Sequence, residues 1–463
     1  MGIKLDWEIE SEQAGAHTAT EDPNVVRSRR RVQVRFLITF LLVLGIVLGV
    51  GALLVWRLNE GERRIEQFLR DTVESEVTAL RIGDWNAFSQ VQRSADPNWT
   101  DVQQRAFFDE IQTAKIETDI DLTGTVRDVE IDGSRGRVLV EEIDGGVPYV
   151  RTWFYWRYED GWRHVPPDYT FWGQAQQYNG STVTVRYRGL DEPFARELGV
   201  DVEGWISGVC GPILQCGDFP HVTVEILPDE SLGEPHWHPE NPWVIRVVSP
   251  FVERARHDLP FSGEVKNVLA SLIAERLVER SSSVSTPSLP PADTAWMRQS
   301  VLTWLLGRFI GMSTDDYLID SLAREYGSSA VGDLLRVAQP DGTMAALAQV
   351  PALTADGRTL GEARLDWRDF LTWRLRLENT SLSEAEFLSL YAPVAEGIAR
   401  DRYLRFDPNA QQPEPTVVEV ISGTGSEGTP QLEAVVRYTG VDGTQTEGRV
   451  LFRLIDNVWK RAS

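Results

Sequence analysis

The densest grouping of metal-capable side chains is His236-Trp237-His238, flanked by Glu234 and Glu240. Alternate residues of a strand face the same way, so the two imidazoles would share one side and could approach a cation together. The surrounding stretch GEPHWHPENPW, residues 233 to 243, holds three prolines, reads as a loop and brings no third histidine nearby. A closed zinc site normally takes four protein ligands, so metal binding is not expected there. Other chemistries lack their motifs. There is no G-x-S-x-G elbow for a serine nucleophile and no G-x-x-x-x-G-K-[ST] loop for a phosphate. Nor is there a D-x-D-x-D-G loop for calcium. No cofactor is expected.

What positions the rest is a run of 21 residues without a charge, Phe36 to Trp56 (FLITFLLVLGIVLGVGALLVW). As a helix rising about 1.5 Å per residue it covers the roughly 30 Å hydrocarbon core of a bilayer. Arg27, Arg29, Arg30, Arg31 and Arg35 precede it, whereas Arg57, Arg63 and Arg64 after it are interleaved with Glu60, Glu62 and Glu66. The positive-inside rule then places the N-terminus in the cytoplasm. A signal peptide is the competing reading. Against it, the run lies well in from the start, is too long for an h-region and ends without an A-x-A-like site. Residues 1–35 carry few large apolar groups and read as a disordered tail. Gly45 and Gly49 form a G-x-x-x-G that would let two such helices approach closely, giving a homodimer.

The formal net charge of −23 over 463 residues argues against nucleic acid as a partner. The only two cysteines, Cys210 and Cys216, fall on the expected outer side, where thiols oxidise, and read as a small-loop disulfide. The alternative is a pair of free thiols in a turn; their spacing excludes C-x-x-C redox chemistry. The sequons at Asn98, Asn179 and Asn379 matter only in a glycosylating host.

About 400 residues beyond the run call for more than one domain. Ile65, Phe68, Leu69, Val73, Val77 and Leu80 recur at three- and four-residue intervals, predicting a helix from about 59 to 81 that Gly83-Asp84 ends. A second helix over 102–114 precedes alternating segments at 126–131, 136–142 and 150–158, separated by Asp132-Gly133 and Gly145-Gly146 and closed by Asp160-Gly161. Helix, helix, antiparallel meander, with "LRIGDWNAF" and the closing "FYWRYEDGWRHVPP", resembles the nuclear transport factor 2-like (SnoaL-like) superfamily over residues 57–173. Enzymes of that superfamily place an Asp/His pair in a cone-shaped pocket. His164 with Asp160 or Asp168 is the nearest candidate here, but these residues adjoin Pro166-Pro167 and read as the end of a hairpin. Trp153, Trp156, Trp162 and Trp172 would fill a core and a concave sheet face, or alternatively line a hydrophobic ligand cleft.

Residues 363–463 repeat the theme: helices at 367–377, 384–390 and 398–406, strands at 416–421, 431–438 and 448–455, and an ending, "LFRLIDNVWKRAS", that lies on "YWRYEDGWRHVPP" with one extra residue. A second nuclear transport factor 2-like unit is expected. Between the two, residues 174–362 run as strands at 182–188, 221–227 and 243–248, then helices at 262–280, 295–311, 314–326, 329–337 and 343–350, with a Ser/Pro-rich linker from 281 to 291. This α+β stretch, carried by "PHVTVEILPD", "VIRVVSP", "AWMRQSVLTWLLGRFIG" and "DDYLIDSLAREYGSSAVGDLLRVA", resembles the peptidase-MA-like gluzincin metallopeptidases. The resemblance implies H-E-x-x-H on the first long helix and a glutamate ligand on the next. The corresponding helices read "EVKNVLASLIAERLVER", without a histidine, and "LTWLLGRF", without the glutamate. Glu264, Glu275 and Glu279 read as solvated helix charges. With no metal to acidify a water, the resemblance implies an inactive peptidase fold.

The expectation is therefore a multi-domain α+β bacterial envelope protein, anchored by one helix, that binds or scaffolds an unidentified protein or small hydrophobic ligand. An enzyme or carrier working through an aromatic pocket, and a zinc enzyme with relocated ligands, are the alternatives.

Overall fold

The computed structural model describes residues 23–117, 119–282, 293–339, 342–408, 410–425 and 428–463. The expected disordered tail lies mostly, and the Ser/Pro linker almost wholly, outside the described residues.

The apolar run and the amphipathic stretch after it form one helix. α1 spans Pro23–Ile82, 60 residues, or about 90 Å of rod. Its stretch Phe36 to Trp56 is exposed throughout and is long and apolar enough to cross a membrane. Further along the same helix, Leu69, Val73, Val77 and Leu80 are wholly buried. Phe68 departs from the expected apolar stripe: it is exposed, whereas the stripe contains a buried carboxylate, Glu76. Gly83, at φ 76°, turns the chain, and the Asp84 side chain accepts the Ala87 N–H to start α2 (Trp85–Val91). α3 (Trp99–Arg105) runs through a π-helical segment, Ala106–Ile111, into α4 (Gln112–Glu117).

Strands β1 (Ile120–Asp121), β2 (Val126–Asp132), β3 (Arg135–Asp144), β4 (Val147–Tyr158) and β5 (Gly161–Val165) form a curled antiparallel sheet in which β1 and β2 both pair with β3. Val138, Val140, Tyr155 and Trp162 of this sheet pack on Leu69, Val73 and Val77 of α1. Burying such side chains stabilises by about 1.5–3 kcal/mol each, so the end of α1 is fastened to the sheet.

Beyond it come β6 (Ala175–Asn179), β7 (Val183–Arg188), α5 (Glu192–Val209), β8 (Val222–Leu227), β9 (His236–His238), β10 (Asn241–Val248) and β11 (Ala255–Arg256). Sheet order is β6-β7-β8-β10-β9, with β7, β8 and β10 parallel and the two edges antiparallel. α5 is the crossover between β7 and β8. It is absent from the sequence expectation although its signals are present: Pro193 in the first turn, then buried Phe194, Leu198, Val202, Trp205, Ile206 and Val209 at helical spacing. Cys210 follows it directly and is joined to Cys216. β11 leaves this sheet and pairs with Tyr149 and Val150 of β4, stitching the first two segments together.

Helices α6 (Gly263–Ser281), α7 (Asp293–Ile310), α8 (Tyr317–Tyr326), α9 (Ser329–Val337) and α10 (Pro351–Asp356) complete the middle, with residues 344–349 forming a 3-10 segment where a helix is expected. α11 (Arg368–Leu377), α12 (Glu384–Ser389) and α13 (Glu396–Arg405) then precede the antiparallel meander β12 (Glu414–Thr424), β13 (Pro430–Thr439), β14 (Gln445–Ile455) and β15 (Val458–Arg461). The last hairpin turns through Asp456 and Asn457 at φ 52° and 59°, as a two-residue hairpin loop requires. One apolar core runs from the middle sheet through α6 to α9 into the C-terminal meander, ending at Trp459. A buried ion pair, Arg374 to Asp293 at 3.1 Å, ties α11 to α7 within it.

Candidate functional site: an acidic, tryptophan-walled cleft

The expected loop around His236 is in fact strand β9, paired with β10, so residues 236 and 238 do sit at alternate strand positions. Their rings are occupied locally: His236 Nδ1 meets the Glu234 carbonyl at 2.8 Å, and His238 Nδ1 accepts the Glu240 N–H at 3.1 Å. Among the described residues no three His, Cys, Asp or Glu side chains converge so as to hold a metal ion. Glu264, Glu275 and Glu279 are exposed, and Glu279 is paired with Arg276 at 3.0 Å.

His164 is buried rather than placed at an open hairpin end, and its carboxylate is neither Asp160 nor Asp168. Asp160 bonds Arg93 and Arg163, and Asp168 bonds the Thr170 N–H and Arg135. The partner is Glu76 of α1, whose Oε1 lies 2.6 Å from His164 Nδ1 and accepts Gln92 Nε2 at 2.7 Å, while Oε2 accepts the Tyr155 hydroxyl at 2.8 Å. Burial, with the Glu76 charge adding to it, pushes the Tyr155 phenol well up. Trp99, Trp153 and Tyr155 enclose the imidazole at ring distances of 5.8, 5.4 and 5.1 Å. Packed so, the pair holds α1 to the sheet. Of the four clustered tryptophans, Trp162 and Trp172 are core, Trp153 is half-buried and Trp156 is exposed.

The C-terminal unit carries the same arrangement with different residues. Glu378, just past α11, accepts Arg461 Nη1 at 2.6 Å and Arg402 Nη1 at 3.0 Å. Acid and base are separated by 88 residues in the first unit and 83 in the last. Gln92 and Tyr391 each form a parallel bridge to His164 and Arg461 respectively, and the next residue of each, Arg93 or Ala392, donates its N–H to that base's carbonyl at 2.8 Å.

An open site lies elsewhere, where α7, α8, α11 and β12 meet. A cleft of about 450 Å³ is lined by Trp296 and Ser300 of α7, Asp315, Asp316 and Tyr317 at the start of α8, Asp369 and Trp373 of α11, and Thr416 to Val418 of β12. Trp296 and Trp373 stack at 5.7 Å. Asp369 caps α8, accepting the Leu318 N–H at 3.2 Å, and also accepts the Phe370 N–H. Burial pushes Asp369 up to about 7 against those two donors, with the charges of Asp316 and Asp366 adding to the rise. Asp316 is 8% exposed, and its Oδ2 has no hydrogen-bond partner. Burial raises it to about 6, opposed by the Thr314 hydroxyl and helped by Asp315.

No protein-family model, curated protein or solved structure matches this chain.

The cleft is not legible in the sequence because its residues come from segments 20 to 120 positions apart and form no motif, as Trp296, Asp316, Asp369 and Thr416 illustrate. The one local signal is Asp315-Asp316, an acidic pair directly before an apolar helix.

These carboxylates set a pH dependence. A carboxyl whose folded pKa is raised stabilises the fold below its unfolded pKa, and that contribution is lost as pH rises through the folded value. Asp316 at about 6, Asp369 at about 7 and the buried Asp191 at about 6 all act this way. Stability from these groups therefore falls between pH 4 and 7. Asp316→Asn is expected to stabilise the fold at pH 8 by on the order of 2 kcal/mol, read as a higher midpoint of thermal unfolding, and to change that midpoint little at pH 4. An equal shift at both pH values would contradict this assignment.

Proposed function

We propose that the chain is a single-pass bacterial membrane protein that holds its α+β units outside the cytoplasmic membrane as a binding or scaffolding surface without peptidase activity. The observation that carries this is the continuity of α1. About nine turns after its start, the bare apolar stretch gives way without a break to residues buried in the first unit. From Trp56 to the first wholly buried residue, Leu69, is about 20 Å of helix. A unit fastened that way stands at a fixed, short height above a bilayer, which suits presenting a surface. The arginine-rich approach to the span and the mixed charge after it favour a cytoplasmic N-terminus. Gly45 and Gly49 stand in the bare part of the helix, where among the described residues an added Cβ would meet nothing beyond the helix's own adjoining backbone, and offer the packing face for a homodimer.

In this proposal the outer units are nuclear transport factor 2-like and the middle one is a degenerate peptidase-MA-like domain. The recurrence of the buried acid–base pair and its parallel bridge supports two related outer units. The missing histidines on α6, whose sequence is GEVKNVLASLIAERLVERS, support the loss of zinc. Zinc content and peptide cleavage, measured on the purified chain, test the reading. Less than a tenth of an equivalent of zinc per chain and no cleavage are expected; stoichiometric zinc with turnover would overturn it. The second reading, a small-molecule carrier, is favoured by the tryptophan-walled cleft.

A further inference from the structure

The charged groups around the α7–α8–α11 cleft are unevenly paired. Its two basic neighbours are already neutralised, Arg368 by Asp366 at 2.6 Å and Arg376 by Glu414 at 2.7 Å. Arg368 also lies flat on the Tyr317 ring, 3.7 Å from its centroid, and the Tyr317 hydroxyl donates to Asp315 at 2.8 Å. Among the described residues no base is paired with the two inner carboxylates. Asp369 has only two backbone N–H donors, and Asp316, a residue of the cleft wall that is more than nine-tenths buried, keeps one oxygen without a hydrogen-bond partner. Facing them is a stacked pair of tryptophans. A buried carboxylate without a counter-charge is costly, and indole faces attract cations, most strongly when these are desolvated.

We infer that this cleft binds an organic cation, an alkylammonium or guanidinium head group held between the Trp296 and Trp373 rings and the Asp316 and Asp369 carboxylates. The cavity size suits a small molecule or one side chain of a basic peptide. A metal ion fits less well, because among the described residues no three acidic or imidazole groups converge and indoles supply no donor atom. A neutral apolar ligand would leave the carboxylates uncompensated.

The cation favours the ionised carboxylates, so affinity rises with pH between 5 and 8 as Asp316 and Asp369 lose their protons. The other charged or titratable groups around the site are Asp315 and Tyr317 on the α8 side, Asp366, Arg368 and Arg376 on the α11 side, and Glu414 of β12; α7 contributes only Trp296 and Ser300.

The test is calorimetric titration of the full chain in a non-ionic maltoside at fixed ionic strength, with choline, butylguanidinium and 3,3-dimethylbutan-1-ol, the neutral isostere of choline. Saturable binding of at least one cation is expected, tighter than the isostere by about tenfold or more, and weakened by about tenfold in Asp316→Asn and in Trp373→Leu. Affinity should also climb by several-fold from pH 5 to pH 8. No saturation by either cation, or equal binding of the isostere to the wild-type chain, would overturn the inference without bearing on the membrane anchor. Undiminished affinity in folded Asp316→Asn would overturn it as well.

Discussion

Glu378→Ala should destabilise the C-terminal unit by about 3–5 kcal/mol, the usual cost of stranding one member of a buried ion pair. Arg461 is 5% exposed and its Nη1 lies 2.6 Å from Glu378. A guanidinium cannot shed its proton, so the charge left behind stays a charge. Arg402, which shares the same carboxylate oxygen, is exposed enough to turn to solvent. Denaturant melts followed by far-ultraviolet circular dichroism would read the loss directly. The double variant Glu378→Leu with Arg461→Met should recover most of it, since a packed apolar pair often replaces a buried ionic one at little cost. Failure of that rescue would show that the pair does more than neutralise itself. The matching substitution in the first unit, Glu76→Leu, is expected to cost less, because the imidazole of His164 can exist neutral.

The second large effect concerns the bare half of α1. Fifteen of the 21 residues from Phe36 to Trp56 are Leu, Ile, Val or Phe, each favouring insertion by about 0.3–0.6 kcal/mol near the centre of a span, or roughly 5–9 kcal/mol in all. One arginine at the centre costs about 2.5–3.5 kcal/mol. Ile46→Arg alone should therefore stay in the membrane fraction. Arginines at Val43, Val47 and Val50 together cost about 8–11 kcal/mol and should leave the protein out of the bilayer, aggregated or degraded. Membrane pelleting after alkaline extraction separates the two outcomes; equal retention of both variants would mean that the run is not what holds the protein.

How far the sequence reaches depends on the range over which each feature is encoded. The apolar run, the Asp-Gly and Gly-Gly turns and the strands between them are local patterns, and the structure places β2 to β4 and β12 to β14 within a few residues of expectation. α5 shows a signal that was present and passed over: its buried positions have clear helical spacing behind Pro193. The buried role of Glu76 was legible in part, since a lone carboxylate interrupts the apolar stripe of Val73, Val77 and Leu80. Its partner was not, because His164 arrives from 88 residues away through the register of the β4–β5 hairpin. The cleft is the extreme case. Asp316 and Asp369 become unusual only when helix packing dehydrates them together, and nothing in either local sequence encodes that.

The central claim is that one continuous helix carries the folded units on the outer side of a membrane. It is tested most directly by a protease-cleavable tag placed after Ser463 and probed in intact bacterial spheroplasts and in inverted vesicles. Cleavage in spheroplasts, protection in inverted vesicles and retention in the pellet after alkaline extraction are the predicted outcome. A tag protected in spheroplasts but cut in inverted vesicles, or a chain released by alkali, would contradict it.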